Sequence, residues 1–526
     1  MSARRVFFIG IGGSGMEPLA KFALRAGDVV SGSDSGIDAA RFAKLSGQGA
    51  RIFREHAAEN LDTLFEAAPN SVATSVSKAA LSDDQAIVVY SSAIAPEHVE
   101  RTRARSLAEG GALRLMHRMD FLNDCFRLSP EALCVAGTHG KTSSSSMLGW
   151  VLLGLGLDPH IIVGGRPLYL PDGVRCGAGR TGVCETDESD GSFLKANPEL
   201  RLVLNIDHDH LEHYGDFAAL CAAFARFVGA GRLCLLNAAD PQLREIGASH
   251  GRDQNSHRIY YYHALDPPTD QVESVASTEF AWDSDGYPPP DRSYVGRFAA
   301  NSDSMQVTRP GESGAVGALQ LKMPGRHFAG NALGVFALID QAVSQKLLDC
   351  PDYDPRRALE LLCEFPGVER RMEFLGRRSG AAVYDDYGHH PTEIEAVIAA
   401  CRVRLGAGRL LAVFQPHRYT RTAALYREFA AALRGADRVY LLPLYTAGEA
   451  PIEGVDTALI ARELGDANPD ASPGARLFSG ESPRGELLQS AFDAIFAEAR
   501  PGDLVVCLGA GDISAGIRAY FARTGE

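Results

Sequence analysis

Three stretches of the sequence alternate strand-like and helix-like segments, a pattern typical of α/β proteins. The first opens with "RVFFIG" and the second with "ALCVAGTHGKT", while the third, from about residue 365, carries "AAVYDDYG", "RLLAVFQP" and "DLVVCLGAG". A chain of 526 residues is too long for one hydrophobic core. The sequence therefore predicts three α/β domains, at residues 1–124, 125–350 and 351–526.

The segment from about residue 250 to 317 interrupts this alternation. It contains "DPPTD", "GYPPPDRS" and "GESGAVG", in which proline, glycine, serine and aspartate favour loops and short strands over helix. We interpret this segment as a loop-rich elaboration of the central domain.

The balance of charge excludes some classes of partner. Lys and Arg number 52 against 66 Asp and Glu, which gives a net charge of −14 and argues against a general binder of nucleic acid or anionic membranes. The ten cysteines occur singly, and the amino terminus lacks a secretory apolar segment. The longest apolar run, at 147–157, is too short to span a bilayer. We therefore expect a cytoplasmic protein without a membrane span.

The "GTHGKT" segment at residues 137–142 matches the end of a phosphate-binding loop. Gly140 would let backbone amides approach phosphate oxygens, Lys141 would neutralise their charge, and the Thr142 hydroxyl would bind Mg²⁺. The first glycine of the usual pattern is replaced by Val135, so the loop is a shorter variant. A plain strand–turn–helix junction with a surface lysine is the alternative interpretation.

Acidic and histidine residues follow two later strand-like runs of the central domain. "CETDESDGSF" contains Glu185, and "NIDHDHLEHYGDF" contains His208, His210 and His213. Strand ends are where open α/β sheets build their sites, and carboxylate, imidazole and hydroxyl groups can surround Mg²⁺. A zinc site of the three histidines is possible, but the neighbouring phosphate-binding loop favours magnesium.

The first domain carries a glycine motif, Gly10-x-Gly12-x-x-Gly15, between a strand and a helix, and Asp34 follows the next strand. A glycine motif between a strand and a helix, with an acidic residue after the next strand, is typical of a dinucleotide-binding turn. The motif alone is weak, because a tight turn packed on a helix has the same pattern. Its exposed amides would suit any pyrophosphate, including that of a nucleotide-linked substrate.

The third domain has a compact cationic group after a strand-like run. In "FQPHRYTRT", Arg418 and Arg421 are three residues apart beside His417. Solvated arginines at a helix start would give the same spacing. Two arginines at a strand end could instead bind a carboxylate bidentately.

Ten motifs in order make the sequence similar to the Mur ligases: "GIGGSGM", "AGTHGKTSS", "DESDGSF", "DHDH", "MPGRH", "ERRMEFLG", "DDYGHHPTE", "QPHRYTR", "YTAGEAPI" and "GAGDI". The resemblance covers nearly the whole chain apart from 250–317. It implies a Rossmann-like first domain that binds a UDP-sugar, a P-loop ATPase-like central domain, and a Rossmann-like third domain that carries an amino acid. It further implies that ATP activates the carboxylate of UDP-N-acetylmuramate as an acyl phosphate, which L-alanine attacks, in peptidoglycan precursor synthesis.

The resemblance also implies roles for individual residues. Those at the UDP-sugar would be Gly12, Gly13, Ser14, Gly15, Ser33, Asp34, Ser91 and Ser92. Those at ATP would be Gly137, Thr138, His139, Gly140, Lys141, Thr142, Ser143, Asn331, Arg371, Asp386 and His389. Mg²⁺ would contact Thr142, Glu185 and His210, and the alanine carboxylate would contact His417, Arg418 and Arg421. The catalytic residues would be Lys141, Glu185, His210 and Arg371.

Two departures from the family pattern stand out. Phe328 occupies a position that is often asparagine, and no lysine lies between Lys195 and Lys322 to be carbamylated as a metal ligand.

Three alternative functions remain open: a recycling ligase that attaches a tripeptide to the same sugar nucleotide, a non-catalytic nucleotide-binding regulator, and an NAD-dependent dehydrogenase. The protein is expected to be a monomer or homodimer.

Overall fold

The computed structural model describes residues 3–66, 86–127, 129–209, 211–250, 258–267, 288–466, 475–479 and 483–524. Within these ranges the chain forms three separate β-sheets with helices packed against them. The predicted α/β class with three domains is therefore confirmed.

The first sheet is parallel throughout its described part. Its strands are β1 (Arg5–Ile9), β2 (Val29–Ser33), β3 (Arg51–Phe53), β4 (Ala86–Tyr90) and β5 (Arg114–His117). Their order is β3-β2-β1-β4-β5. The helices of this domain are α1 (Glu17–Arg25), α2 (Ala39–Gly47), a 3-10 helix (Ala58–Phe65), α3 (Val99–Glu109) and α4 (Arg118–Cys125). Parallel pairing places the carboxyl ends of all five strands at one edge.

The central sheet begins at the strand before the glycine-rich loop. Its strands are β6 (Glu131–Ala136), β7 (His160–Ile162), β8 (Val174–Arg175), β9 (Thr181–Glu185), β10 (Leu200–Val203), β11 (Leu233–Asn237), β12 (Arg258–Leu265), β13 (Ser293–Phe298), β14 (Met305–Thr308) and β15 (Ala315–Leu319). Their order is β15-β14-β13-β12-β11-β10-β6-β9-β7-β8. The helices are α5 (Lys141–Gly154), a 3-10 helix (Ser192–Lys195), α6 (Leu211–Tyr214), α7 (Phe217–Gly229), α8 (Pro241–His250), a 3-10 helix (Pro290–Arg292) and α9 (Arg326–Ser344).

The segment predicted as a loop-rich elaboration contributes strands to the central sheet. β12 and β13 continue the parallel ladder, and β13 to β15 then pair antiparallel. The short strands were expected, but their continuation of the main sheet was not. Residues 251–257 and 268–287, which include the end of "DPPTD" and the first two residues of "GYPPPDRS", lie outside the described ranges.

Helix α5 shows how the sequence "KTSSSSMLGW" forms a buried helix despite four serines in a row. Residues 143–146 are all buried. The hydroxyls of Ser144, Ser145 and Ser146 donate to backbone carbonyls four residues earlier, so their polarity is satisfied inside the helix itself. The helix can therefore lie against the sheet and present its amino end to the loop before it.

The third sheet is parallel except at the edge strand β16. Its strands are β16 (Glu373–Arg378), β17 (Ala381–Asp386), β18 (Leu410–Phe414), β19 (Arg438–Leu441), β20 (Ala475–Leu477) and β21 (Leu504–Leu508), in the order β16-β17-β21-β18-β19-β20. The helices are α11 (Pro391–Leu405), α12 (Tyr419–Leu433), α13 (Ala458–Asp466), α14 (Arg484–Glu498) and α15 (Ile513–Thr524). β18 and β21 are fully buried because helices cover both faces.

A further helix, α10 (Pro355–Glu364), lies between the central and third sheets along the chain. It packs on α5 and β15 of the central domain, and the Trp150 indole donates to the Leu361 carbonyl at 2.7 Å. The boundary predicted at residue 350 assigns α10 to the third domain, whereas its packing places it with the central one. The numerical domain limits stay a prediction.

Candidate functional site

The loop at residues 137–140 connects the carboxyl end of β6 to the first turn of α5. Gly137 and Gly140 have φ of 134° and 85°, which residues with a Cβ rarely adopt. A Cβ at Gly140 would also lie 2.5 Å from the side-chain nitrogen of Asn331. Glycine is therefore required at this position, and the amino end of α5 is left open to an anion.

Lys141 is engaged by a carboxylate instead of being a solvated surface charge. Its Nζ donates to Glu188 Oε2 at 2.8 Å and to the Gly137 carbonyl at 2.7 Å. Glu188 is only 1% exposed. Burial lowers the pKa of Lys141, but the Glu188 carboxylate more than offsets this and raises it above its usual value. The lysine is thus held charged at the loop.

Glu185, the last residue of β9, brings a buried carboxylate to the same loop. Its Oε1 accepts from the Gly164 amide at 2.7 Å, and its Oε2 lies 3.3 Å from the Ser145 hydroxyl. Burial raises the pKa of this carboxyl, while Thr142 and Lys141 act in the opposite direction. A carboxylate and a threonine hydroxyl placed together are oxygen ligands of the type that Mg²⁺ prefers.

Residues of all three domains line a cavity of about 350 Å³ beside this loop, called here the phosphate cavity. The glycine turn of the first domain contributes Ser14 and Gly15, and the central domain contributes the loop with Glu185. From the third domain come Arg371, Tyr387, His389 and Glu393. Groups predicted to bind separate ligands therefore line one cavity.

A second cavity, of about 720 Å³, lies on the other side of the loop and is called here the base cavity. Asn331, a predicted ATP residue, lines it, and Phe328, 4% exposed, forms part of its wall. The apolar side chains and the amide suit a flat heterocycle. Of the predicted ATP residues, those that line this cavity are His139, Gly140, Ser143, Asn331, Arg371 and Asp386.

Asp386 is the last residue of β17 in the third sheet, and His389 lies three residues after it. Asp386 accepts from the amides of Met372 and Gly388 at 2.8 and 2.7 Å, and burial raises its pKa to about 6. Burial lowers the pKa of His389 to about 4. Arg371 lies against Tyr387, its guanidinium 5.2 Å from the ring centroid. These side chains line the cavities, Asp386 in the base cavity and His389 in the phosphate cavity.

His139 of the loop joins the central domain to the third domain. Its Nε2 lies 3.0 Å from Asp207 Oδ2, and its Nδ1 lies 3.5 Å from Glu393 Oε1. Thr392 of α11 donates to the same Asp207 oxygen at 2.9 Å. Burial lowers the pKa of His139, but these hydrogen bonds raise it to about 9. A protonated His139 thus lies between two carboxylates from different domains.

The predicted amino-acid residues lie at the start of α12. Arg418 has φ of 72° and ψ of 140°, a strained conformation for arginine. His417 stacks on Tyr445 with ring centroids 5.6 Å apart, and burial lowers its pKa to about 4. Arg421 lies 3.9 Å from Asp209 of the central domain. Asp209 also lines the phosphate cavity, so this group borders it.

The glycine turn of the first domain is held by Asp34. The Gly12 amide donates to Asp34 Oδ2 at 2.9 Å, and Gly13 and Ser14 are exposed in the same turn. A Cβ at Gly15 would lie 2.8 Å from the guanidinium of Arg118. The turn therefore presents its backbone toward the phosphate cavity.

The predicted serines of the first domain have different environments. Ser33 is fully buried and donates to Glu100 at 2.5 Å, which engages its hydroxyl inside the domain. Ser92 is exposed, and its hydroxyl lies 3.0 Å from His117 Nε2. Ser91 precedes it directly after β4. The exposed position of Ser92 is suited to a ligand, whereas Ser33 supports the strand end from within.

Of the three histidines weighed as a zinc site, His208 and His213 belong to no group of three metal-ligating side chains found among the described residues. His208 stacks on Phe217 with ring centroids 3.9 Å apart, and His213 lies against Tyr214. His210, a predicted metal and catalytic residue, lies outside the described ranges. Its role stays a prediction.

Two residues of the site had no assigned role from sequence. Arg118, directly after β5, donates to Asp190 at 2.9 Å and lines the phosphate cavity. Burial raises the pKa of Glu393, but the hydrogen bond with His139 and the nearby His389 bring it well below its ordinary value. Because Arg118 lies directly after β5, the rule that sites form at strand ends could have indicated it as a site residue. No local signal in the sequence indicates that Glu393 meets His139.

Three protein-family models match the chain in order. They are the Mur ligase family catalytic domain at residues 5–124, the Mur ligase middle domain at 135–339, and the Mur ligase glutamate ligase domain at 370–511.

Curated relatives match along nearly the whole chain. The UDP-N-acetylmuramate–L-alanine ligase of Brucella anthropi is 36% identical over 516 residues, which cover 97% of this chain and 95% of that protein. The ligase of the same name from Pelotomaculum thermopropionicum is 35% identical, with 98% and 96% covered. Both sequence identities are higher than the level at which a match indicates only a shared fold.

Solved structures show the same architecture. The crystal structure of UDP-N-acetylmuramate-alanine ligase from Thermotoga maritima has a TM-score of 0.70 at 25% identity and covers 99% of both chains. A murein peptide ligase from Psychrobacter arcticus has a TM-score of 0.61 at 20% identity, covers 100% of this chain and 99% of that one, and shares the fold.

Within the part of the chain that the structure describes, every helix is too short or too polar to cross a lipid bilayer. The cytoplasmic location stays a prediction, as does the oligomeric state.

Proposed function

Because the chain belongs to the Mur ligase family, we propose that it uses ATP to join L-alanine to the carboxylate of UDP-N-acetylmuramate, a step of peptidoglycan precursor synthesis. The observation that carries the proposal is the phosphate cavity, where the glycine turn, the phosphate-binding loop and the third domain meet. A reaction that consumes ATP while joining two other substrates needs all three to meet at one place.

The chemistry requires activation because a carboxylate has no good leaving group. Transfer of the γ-phosphoryl group of ATP to the muramyl carboxylate gives an acyl phosphate and ADP. The amine of alanine attacks the acyl carbon, loses a proton, and phosphate leaves from the tetrahedral intermediate. The negatively charged ATP and muramyl carboxylate must first approach each other, so catalysis depends mainly on positive charge at the cavity.

Residues of this chain can supply that charge. Lys141 at the loop and Arg371 from the third domain line the phosphate cavity from opposite domains. Glu185 and Thr142 would hold Mg²⁺, with His210 as a further predicted ligand, and their oxygen-rich set fits that ion. The ion would neutralise phosphate oxygens. Enclosure by three domains would exclude water, which would otherwise hydrolyse the acyl phosphate.

A phosphate-release assay tests the proposal directly. The purified protein with ATP, Mg²⁺ and UDP-N-acetylmuramate should release phosphate when L-alanine is added. An L-alanyl-γ-D-glutamyl tripeptide should not replace alanine. Assays with glycine or serine in place of alanine measure how strictly the amino-acid site selects its substrate. Release with the tripeptide alone would favour the recycling ligase, and no release with any acceptor would favour a regulator.

The glycine turn should bind a UDP-sugar and not NAD. A Cβ at Gly12 would lie 3.0 Å from both Asp34 and Ile37, so Gly12→Leu should displace the turn and abolish binding of UDP-N-acetylmuramate. Gly47→Leu is the matched control, because Gly47 is exposed with no neighbour within 4 Å of its Cβ position. Calorimetry checks both variants. Micromolar binding of NAD without binding of the UDP-sugar would contradict this prediction.

Arg418 should bind the alanine carboxylate. A charge-assisted hydrogen bond contributes about 1.5–3 kcal/mol, so Arg418→Gly should raise KM for alanine roughly 10- to 100-fold and leave KM for ATP nearly unchanged. Because glycine tolerates the φ of 72°, the variant should fold at least as stably as the wild type. Arg421→Ala should also raise KM for alanine.

The control for these arginines lies on the same helix. Arg427 is 72% exposed on α12, and Arg427→Ala should leave the alanine dependence unchanged. Steady-state kinetics with each substrate varied in turn distinguishes the cases. If the Arg418 and Arg421 variants keep the wild-type KM for alanine, these arginines are solvated charges at a helix start.

A further inference from the structure

A second group of metal-ligating side chains lies in the first domain, away from the phosphate-binding loop. His56 follows β3, His98 immediately precedes α3, and Glu100 belongs to the first turn of that helix. One ligand atom from each of the three lies within 4.8 Å of the others. We call these residues the HHE cluster.

The carboxylate of the HHE cluster is buried and firmly oriented. Glu100 is fully buried, and its Oε1 accepts from Asn60 at 2.8 Å and from the Ala57 amide at 3.3 Å. Its Oε2 lies 3.1 Å from His56 Nδ1 and 2.5 Å from the Ser33 hydroxyl. Ligands about 2.0–2.2 Å from a tetrahedral zinc ion are roughly 3.4 Å apart, close to the separation of His56 and Glu100.

His98 is the member of the HHE cluster whose hydrogen bonding is incomplete. Its ring lies 4.6 Å from that of His56, centroid to centroid, at an interplanar angle of 82°. Its Nδ1 is buried and has no hydrogen-bond partner among the described residues.

We propose that His56, His98 and Glu100 bind a divalent transition metal of the zinc class. Two imidazoles and one carboxylate form a ligand set that suits zinc, and the Ser33 hydroxyl or a water molecule would complete it. The ion would give the orphaned His98 nitrogen a partner and would join the loop after β3 to the start of α3. Both segments lie at the edge of the first sheet where Asp34 and Ser92 also lie.

Cobalt is a suitable probe because tetrahedral Co²⁺ absorbs visible light and replaces zinc. The full-length protein is stripped with a chelator and titrated with Co²⁺ in the absence of nucleotide. The wild type should bind one more Co²⁺ per chain than His98→Asn and should show the visible bands that the variant lacks. Zn²⁺ should raise the Tm of the wild type and not that of His98→Asn.

Two controls separate this cluster from others and from misfolding. His139, Asp207 and His390 also lie within 4.8 Å of one another, but they belong to the central and third domains, so His390→Asn should keep the metal of the first domain. His98 is the residue before the first turn of α3, a position that asparagine favours, so His98→Asn should fold normally. His56→Gln is the second variant and should lose the same ion.

Equal cobalt binding by wild type, His98→Asn and His56→Gln would overturn the proposal. Absence of tetrahedral bands in the wild type would also overturn it, and Ser33, His56 and Glu100 would then be a hydrogen-bonded cluster. Ligase activity is not the readout, so these results are independent of the function proposed above.

Discussion

Lys141→Ala should lower the rate of phosphate release about 10²–10³-fold, the usual effect of removing one group that stabilises transition-state charge. The structure adds a second consequence. Because Lys141 pairs with the buried Glu188, the single variant leaves a buried carboxylate without its cation. Removing one partner of such a pair costs about 3 kcal/mol of stability, so the Tm should fall as well.

A double variant separates the two effects of losing Lys141. In Lys141→Ala/Glu188→Gln the unpaired charge is gone, so the Tm should recover while the rate stays low. Differential scanning calorimetry and single-turnover phosphate release measure these quantities on the same samples. A double variant that recovers both stability and rate would remove the lysine from the chemistry.

Glu185→Gln should reduce kcat by about 10²–10³-fold and raise the Mg²⁺ concentration needed for half-maximal rate. The amide keeps the size of the side chain, and its oxygen can still accept from the Gly164 amide. The variant therefore removes a negative charge with little change in packing. Metal titrations of the steady-state rate at saturating ATP measure the effect.

The matched control for Glu185 lies at the opposite edge of the same sheet. Glu131 begins β6 and pairs with Arg180, and its side chain is 12% exposed. Glu131→Gln removes the same charge far from the cavities and should leave the rate and its magnesium dependence unchanged. If the Glu185 and Glu131 variants behave alike, Glu185 has no role in holding the metal.

Local patterns in the sequence predicted the parts of the site that belong to one domain. Lys141 and Glu185 lie at the ends of apolar strand runs, and the rule that parallel sheets build sites at strand ends made them candidates. The role predicted for Arg418 came from the resemblance to the Mur ligases. The pairing of Lys141 with Glu188 was not foreseen. The ion pair joins residues 47 positions apart, and neither spacing nor periodicity indicates that contact.

Contacts between domains could not be predicted, since they depend on how separately folded units dock. The meeting of Glu393 with His139 and of Arg421 with Asp209 has no signature in local spacing. The strands β12–β15 were expected only as short strands because the sequence does not show which strand each of them pairs with. Sequence composition indicates a break in the α/β alternation, but the partner of an added strand is decided by the exposed edge that it meets.

The interaction of Asp207 with both His139 and Thr392 has a consequence for the timing of the catalytic cycle. One carboxylate oxygen is shared between the phosphate-binding loop and α11 of the third domain. Separation of the third domain from the loop requires these bonds to break, so we expect domain opening after each turnover to depend on them. A substitution of Thr392, which borders the base cavity without the charge of Lys141 or Glu185, would therefore change the rate of ADP release rather than the rate of acyl transfer.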